Sequence, residues 1–260
     1  MELLEYLYKN INKSKNTVKN ILKNGNVYVN GKVVTKHNYL LKETDIIEIR
    51  NKINNIDIIY EDKDIIVVDK PCNMLTISTD KEKEKTLYHI VSSYVKKINK
   101  SNKIFVVHRL DKDTSGLVVF AKSELTKNKL QDDWNKVVRN YVAVVEGITK
   151  DKEVLKSYLE EKNNRVFSSN KGKLAITEYT KVLNNDKYSL LDINIKTGRK
   201  HQIRVQLKDI NHPIIGDKKY GNSNPIKRMG LHAYKLEFKL NGKDYKIEID
   251  YPNSFKNLVK

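Results

Sequence analysis

Three stretches of this 260-residue chain carry side chains whose types and spacing suit chemistry. The densest is HRLDKDTSGLVVFAK, residues 108–122. Arg109 and Asp111 stand two apart in it, so in extended chain both point to the same side. A carboxylate beside a guanidinium stays charged and can act as a nucleophile; the same pair can also do no more than tie down a hairpin. In HQIRVQL, residues 201–207, the apolar Ile203, Val205 and Leu207 alternate with Gln202, Arg204 and Gln206. Read as a strand, one set feeds a core and the other, with Arg204, faces a cleft. In NYVAVVEG, Tyr141 opens a run whose Val142 and Val144 fall on the opposite face.

Other reactive residue types have no such company. Cys72 is the lone cysteine, which excludes an intrachain disulfide and a cysteine-based zinc site, and beside Pro71 it reads as a small packed residue. The six histidines, at 37, 89, 108, 201, 212 and 232, show no metal-ligand spacing, and Trp134 reads as a core anchor. Neither a dinucleotide-binding nor a triphosphate-binding glycine loop is present. No metal and no cofactor are therefore expected.

The charge balance is lopsided: 50 Lys and Arg against 32 Asp and Glu, a formal net charge of +18. Such a field attracts polyanions, nucleic acid above all, although solvated lysines are common in any chain so rich in Lys, Asn and Ile. No apolar run resembles a signal peptide or spans a bilayer. The expectation is a cytoplasmic protein.

The reactive stretches need rigid elements around them. Ile104–Val107 leads into the Asp111 cluster and Leu117–Phe120 leads out, so the cluster sits on a loop between buried strands, with Thr114, Ser115 and Gly116 as the turn. IIYEDKDIIVVDKP predicts two strands ending at Pro71; NYVAVVEG, ITEYTKVL, YSLLDINI, RKHQIRVQL and LHAYKLEFKL predict five more. Helices are expected over 86–98 and from about Glu124 to Trp134. The fold class is α+β, with a mixed, largely antiparallel sheet. Residues 1–52 form a small separate unit: a helix through Leu3, Leu4, Leu7 and Ile11, and a second through Val18, Ile21 and Leu22, capped by Ser14 or Asn16 and closed by Gly25. A hairpin turning at Asn30-Gly31 and a strand over Asp45–Arg50 follow. Lys13, Lys15, Lys19 and Lys23 load the second helix with charge. The polar residues 53–57 read as a linker to a domain over 58–260.

On these residues the N-terminal unit, with its VYVNGKVV hairpin, resembles the S4 RNA-binding domain. HRLDKDTSGL resembles the signature of the pseudouridine synthases of the large-subunit rRNA type, and DIIVVDKP, RNYVAVVEG, TGRKHQIR, HPIIGDKKYG and LHAYKLEF agree with that family in order. The resemblance implies a pseudouridine synthase fold and isomerisation of uridine to pseudouridine in RNA, rRNA foremost with tRNA as the other target class. It implies Asp111 as the nucleophile, Arg109 holding the opened RNA, Tyr141 against the flipped uracil, Arg204 paired with Asp111, and Leu231 lining the base pocket. Since the reaction has no redox or hydrolytic step, it needs no cofactor, and a monomer is expected. The rival readings are a catalytically inactive S4-type RNA-binding or ribosome-assembly factor, and a glycosidase with Asp113 as a second carboxylate. One position departs from the pattern: Asn73 stands in KPCNML where the family has glycine, a place asparagine fills if the backbone needs positive φ.

Overall fold

The N-terminal unit folds on the apolar stripes of two short helices. The computed structural model describes residues 1–11, 14–23, 25–49, 51–53, 56–80, 82–222 and 225–260. Leu3 and Leu7 of helix α1 (Leu3–Asn10) pack on Val18 and Leu22 of helix α2 (Lys15–Lys23), and Val27 and Val29 of strand β1 (Val27–Val29) close this small core. Ser14 caps α2 by accepting a hydrogen bond from the Thr17 N–H at 3.3 Å, and Gly25, at φ 71°, ends it. Asn30 and Gly31 take φ 50° and 75°, the two left-handed residues a tight hairpin needs, so that β1 pairs with strand β2 (Lys32–Val33). Strand β3 (Ile47–Ile49) pairs with the other edge of β1 and is shorter than the expected 45–50. Asp45 is a turn residue instead, accepting from the Asn30 side chain and the Lys42 N–H, and Arg50 lies outside the described residues. Lys15, Lys19 and Lys23 are exposed; Lys13 is outside the described residues.

The stretch read as a linker is part of a sheet. Strand β4 (Asn51–Ile53) pairs antiparallel with strand β5 (Ile56–Glu61), and Ile53 and Ile56 are buried where they meet. Two isoleucines that face one another across the strand pair outweigh the polar composition around them. Asn54 and Asn55, inside that span, are not among the described residues.

The chain continues through strand β6 (Ile65–Lys70), helix α3 (Leu87–Ile98), strands β7 (Phe105–Val106) and β8 (Ser115–Ala121), and helix α4 (Glu124–Asp132). Strands β9 (Val138–Glu146), β10 (Lys152–Lys162), β11 (Arg165–Ser168), β12 (Lys173–Asn184) and β13 (Tyr188–Ile195) follow. Helix α5 (Gln202–Asp209), strands β14 (Leu231–Leu240) and β15 (Lys243–Glu248), and helix α6 (Asn253–Leu258) complete it. The strands from β4 onward form one sheet in the order β11-β10-β12-β13-β9-β14-β8-β6-β5-β4, with β15 beside β14 and β7 beside β8. Among the described residues every pair of strands in this sheet is antiparallel except β8 with β14, so the sheet is mixed and largely antiparallel as the sequence predicts.

Strand β8 is the spine of this sheet, buried along its whole length. Leu117, Val119 and Ala121 enter the core under β14 and β15, while Val118 and Phe120 meet α3 on the other face. Gly116 is required where β8 meets β14: its φ is 115°, and a Cβ there would lie 2.1 Å from the Ala233 carbonyl oxygen. Hence Ser115 and Gly116 open a strand, and the turn expected at 114–116 falls on Lys112 and Asp113, closed by the Thr114 N–H donating to the Asp111 carbonyl at 3.2 Å.

The predicted strand over 199–207 is instead helix α5. Gln202 through Leu207 are all buried. Ile203 and Leu207, four apart, pack into the core beneath β9 and β13, while Val205 packs separately against Leu159, Val166 and Ala175. A helix covered on two sides places apolar residues on both, and here their alternation imitates a strand.

Candidate active site

Asp111 is fixed through its backbone neighbours. The loop between β7 and β8 carries it, and polar clamps hold that loop on either side. Thr76 Oγ1 donates to the Leu110 carbonyl at 2.9 Å and accepts from the Leu110 N–H at 3.2 Å. Lys70, fully buried, donates its ammonium protons to the carbonyls of Pro71, Met74 and Lys112. Burial pulls its pKa down to about 8. Asn73, between these acceptors, takes φ 62°, the left-handed conformation for which asparagine substitutes for glycine. His108 Nε2 accepts from the Val119 N–H at 3.1 Å, and its ring stacks on Trp134 with centroids 4.5 Å apart. Burial, with the charge of Arg139 acting the same way, holds His108 neutral at a pKa of about 3.

The Asp111 carboxylate meets Arg204 Nη1 at 3.0 Å, and its side chain is 26% exposed. Arg204 comes from the first turn of α5 and is itself gripped by Asp217, which accepts from Nε at 2.7 Å and Nη2 at 2.8 Å. Burial opposes charge on both partners, but the paired hydrogen bonds outweigh it, so the arginine pKa is raised and that of Asp217 lowered. Asp217 also accepts the backbone N–H groups of Lys219 and Tyr220. Tyr220 lies over the guanidinium at 5.1 Å, and its hydroxyl is 2.9 Å from His201 Nδ1. His201, left-handed at φ 54° just before α5, brings its Nε2 to 3.7 Å from Asp111. Burial lowers its pKa, against the pull of Asp111.

All five residues named from the sequence, Arg109, Asp111, Tyr141, Arg204 and Leu231, line one cleft of about 300 Å³. Tyr141 stands on β9, on the same face as Ala143, with Val142 and Val144 facing away into a different core. Burial, the main cause, pushes its phenol up to about 12, with Asp111 adding to the rise and Arg139 opposing it. Leu231, 3% exposed, begins β14 opposite Ala143. Arg109 is exposed and also borders a neighbouring groove of about 330 Å³ with Lys112, Lys200, Lys218 and Lys219. The arrangement offers a carboxylate held by an arginine in a cleft, an aromatic wall and a basic approach, which suits attack on a base or sugar of a polyanion.

Sequence reasoning overlooked Asp217, His201, Tyr220 and Arg139; Trp134, read as a core anchor, packs against the core and also lines the cleft. The only sign of Asp217 was a carboxylate between Gly216 and Gly221 in HPIIGDKKYG. Among the described residues no group of three or more His, Cys, Asp or Glu side chains is arranged to hold a metal, and no helix is long and apolar enough to cross a membrane.

The profile of the RNA pseudouridylate synthase family matches residues 64–209, just over half of the chain, and takes in Asp111, Tyr141 and Arg204. The chain belongs to that family. It is an RNA pseudouridine synthase, an isomerase, and the S4 domain profile matches residues 2–47. An RNA pseudouridine synthase of Aquifex aeolicus described as uncharacterized is 32% identical, over 94% of this chain and 88% of its own. The ribosomal large subunit pseudouridine synthase D of Borreliella burgdorferi is 37% identical over 77% of this chain and 66% of its own. The ribosomal large subunit pseudouridine synthase C of Rickettsia typhi is 35% identical over 85% and 77%. The structure of human RNA pseudouridylate synthase domain containing 4 shares the synthase fold, with a TM-score of 0.65 over 76% of this chain and 90% of that one, at 20% identity.

Proposed function

We propose that this synthase isomerises uridines of large-subunit ribosomal RNA with Asp111 as its nucleophile, and that the S4 unit grips the RNA from outside the catalytic cleft. The observation that carries the proposal is the Asp111 carboxylate held at 3.0 Å by an arginine whose other edge is occupied by Asp217, in a cleft walled by Tyr141. Two relatives named for the large ribosomal subunit support the choice of RNA.

In the reaction the N1–C1′ bond of uridine breaks, the uracil turns, and a C5–C1′ bond forms. C5 gives up a proton and N1 takes one, so the product is an isomer. The uridine must first leave its stack, at a cost of a few kcal/mol. Arg109, exposed at the mouth of the cleft, holds the opened strand. Leu231 packs against the base. Tyr141 is protonated throughout the neutral range, so it serves the uracil as a stacking wall and hydrogen-bond donor and takes up the C5 proton only by passing its own onward. Asp111 adds to C1′ of the ribose or C6 of the uracil and is released when the new bond forms. Arg204 holds the carboxylate in place through its Nη1.

Asp111→Asn tests the assignment. The amide is nearly isosteric, so RNA affinity and melting temperature should stay close to wild type while pseudouridine formation in rRNA disappears. Turnover above about a tenth of wild type, a barrier change under about 1.4 kcal/mol, removes Asp111 from the mechanism. Mapping pseudouridines in rRNA from cells with and without the gene tests the target.

A further inference from the structure

Arg139 leaves β9 two positions before Tyr141, so both side chains extend from the same face of the strand, and both line the cleft. Only 5% of Arg139 is exposed. Lys70, Arg139 and Arg204 are the lysine and arginine side chains buried this deeply among the described residues, and the other two are fully answered. Lys70 donates to three carbonyls, and Arg204 is held by two carboxylates. Arg139 has one long hydrogen bond, from Nη2 to the Lys196 carbonyl at 3.4 Å, and its Nε donates to nothing. No carboxylate among the described residues forms an ion pair with it. The guanidinium lies over Trp134 at 6.0 Å, and the missing side chain of Gly198 makes room for it, since a Cβ there would stand 3.0 Å from Nη1.

Burying a cation without an anion is costly, and burial works against its charge here. The walls of the cleft carry Arg109, Arg139, Arg199 and Arg204 against Asp111, with Asp217 behind Arg204 as the second carboxylate, so the site as a whole is still short of negative charge. A uracil carbonyl is neutral and leaves that excess standing. A phosphate removes it, and every nucleotide of an RNA brings one, in a form that a guanidinium binds through two parallel hydrogen bonds.

We propose that Arg139 seats a backbone phosphate of the RNA beside the opened uridine, inside the cleft. The inference rests on the reading of that cleft as the uridine site. It gives the two arginines different roles. Arg109 meets the strand in solvent, whereas Arg139 takes its phosphate in a nearly dry pocket and so fixes where the ribose stands relative to Asp111. Arg139 is thus a substrate-binding and positioning residue.

The test uses the full-length enzyme and a transcript of large-subunit rRNA, with binding measured across a salt series for wild type, Arg139→Gln, Arg139→Lys and Asp111→Asn. Arg139→Gln should lower the slope of log affinity against log salt by about one unit, the signature of one phosphate no longer neutralised, and raise KM; Arg139→Lys should keep the slope. An unchanged slope in Arg139→Gln overturns the proposal, whatever its turnover, because a base contact or a packing role leaves counterion release alone. Asp111→Asn should keep the wild-type slope while losing turnover. If it keeps turnover, the reading of the cleft fails, and the slope of Arg139→Gln still decides for or against a phosphate. Should Arg139→Gln not fold, wild type alone decides: uridine 3′,5′-bisphosphate should inhibit RNA turnover at lower concentration than uridine, and equal inhibition overturns the proposal.

Discussion

Asp217 holds Arg204 by two parallel hydrogen bonds, 2.7 Å to Nε and 2.8 Å to Nη2, and leaves Nη1 as the edge that meets Asp111. The Asp111 carboxylate therefore faces a guanidinium that cannot swing. Orientation of the pair is set by a residue that does not line the cleft.

Asp217→Asn should accordingly reduce kcat by about 10–100-fold with a small change in KM, because supporting contacts of this kind typically act through geometry. It should also destabilise the fold by about 3–5 kcal/mol, the usual cost of breaking a buried pair. The native pKa of Asp217 is lowered, so its stabilisation is complete above the unfolded value near 3.8 and is lost as pH falls below it. Thermal melts between neutral pH and pH 3 should show wild type losing stability at the acid end more steeply than the variant; parallel curves contradict the arrangement.

Tyr141 offers the opposite sign. Its pKa is raised to about 12, so the unfolded chain ionises near 10 while the native phenol stays protonated, and stability falls as pH rises through that window. Tyr141→Phe should flatten the alkaline limb by on the order of 2 kcal/mol relative to wild type, in chemical denaturation followed from pH 8 to about 12. RNA binding should survive in Tyr141→Phe and fail in Tyr141→Ala if the ring stacks on the base.

Gly116→Ala should be among the most damaging single changes in the chain. The new methyl would stand 2.1 Å from the Ala233 carbonyl oxygen on a backbone at φ 115°, and neither strand can retreat from the middle of the sheet. A loss above about 4 kcal/mol, or failure to accumulate soluble protein, is expected. A melting temperature within a few degrees of wild type would show that β8 and β14 are free to separate.

Removing residues 1–49, which spares β4, should leave a folded synthase with weaker grip on structured RNA. The helices of the S4 unit and its hairpin close their own core, and Lys15, Lys19 and Lys23 stand exposed on α2. Each phosphate that the truncated protein no longer binds should lower the log–log salt slope by close to one unit, while a short unstructured oligonucleotide, if accepted, is modified equally by both forms. Equal slopes for the two proteins on rRNA would leave the unit without an RNA-gripping role.

What could be read in the sequence divides along a physical line. The Asp111 loop was legible because two apolar runs bracket a charged cluster, and that pattern survives folding unchanged. The Asn30-Gly31 turn and the boundaries of β13 and β14 were legible for the same local reason. Helix α5 was not, because a helix buried on both sides loses the polar stripe that marks its period, and Ile203, Val205 and Leu207 happen to alternate. Asp217 was not, because nothing local distinguishes a carboxylate that binds an arginine thirteen positions earlier from one on a surface turn. Arg139 was hidden by its own surroundings: in RNYVAVVEG it looks like the solvated first residue of a strand, and its burial is created by Trp134 and Gly198 from elsewhere in the chain.

The position of β14 has a consequence for synthesis of the protein. A ribosome delivers Asp111, Tyr141 and Arg204 before it delivers Leu231–Leu240, yet that late strand lies between β8 and β9 and joins them. Until it emerges, β8 and β9 lack the strand that lies between them, and the edges that pair with β14 are both open. Such edges recruit other strands readily, so a chain halted before Leu231 is expected to be inert and prone to aggregate. Closure of the sheet around the cleft is thus expected to wait until translation has passed Leu240.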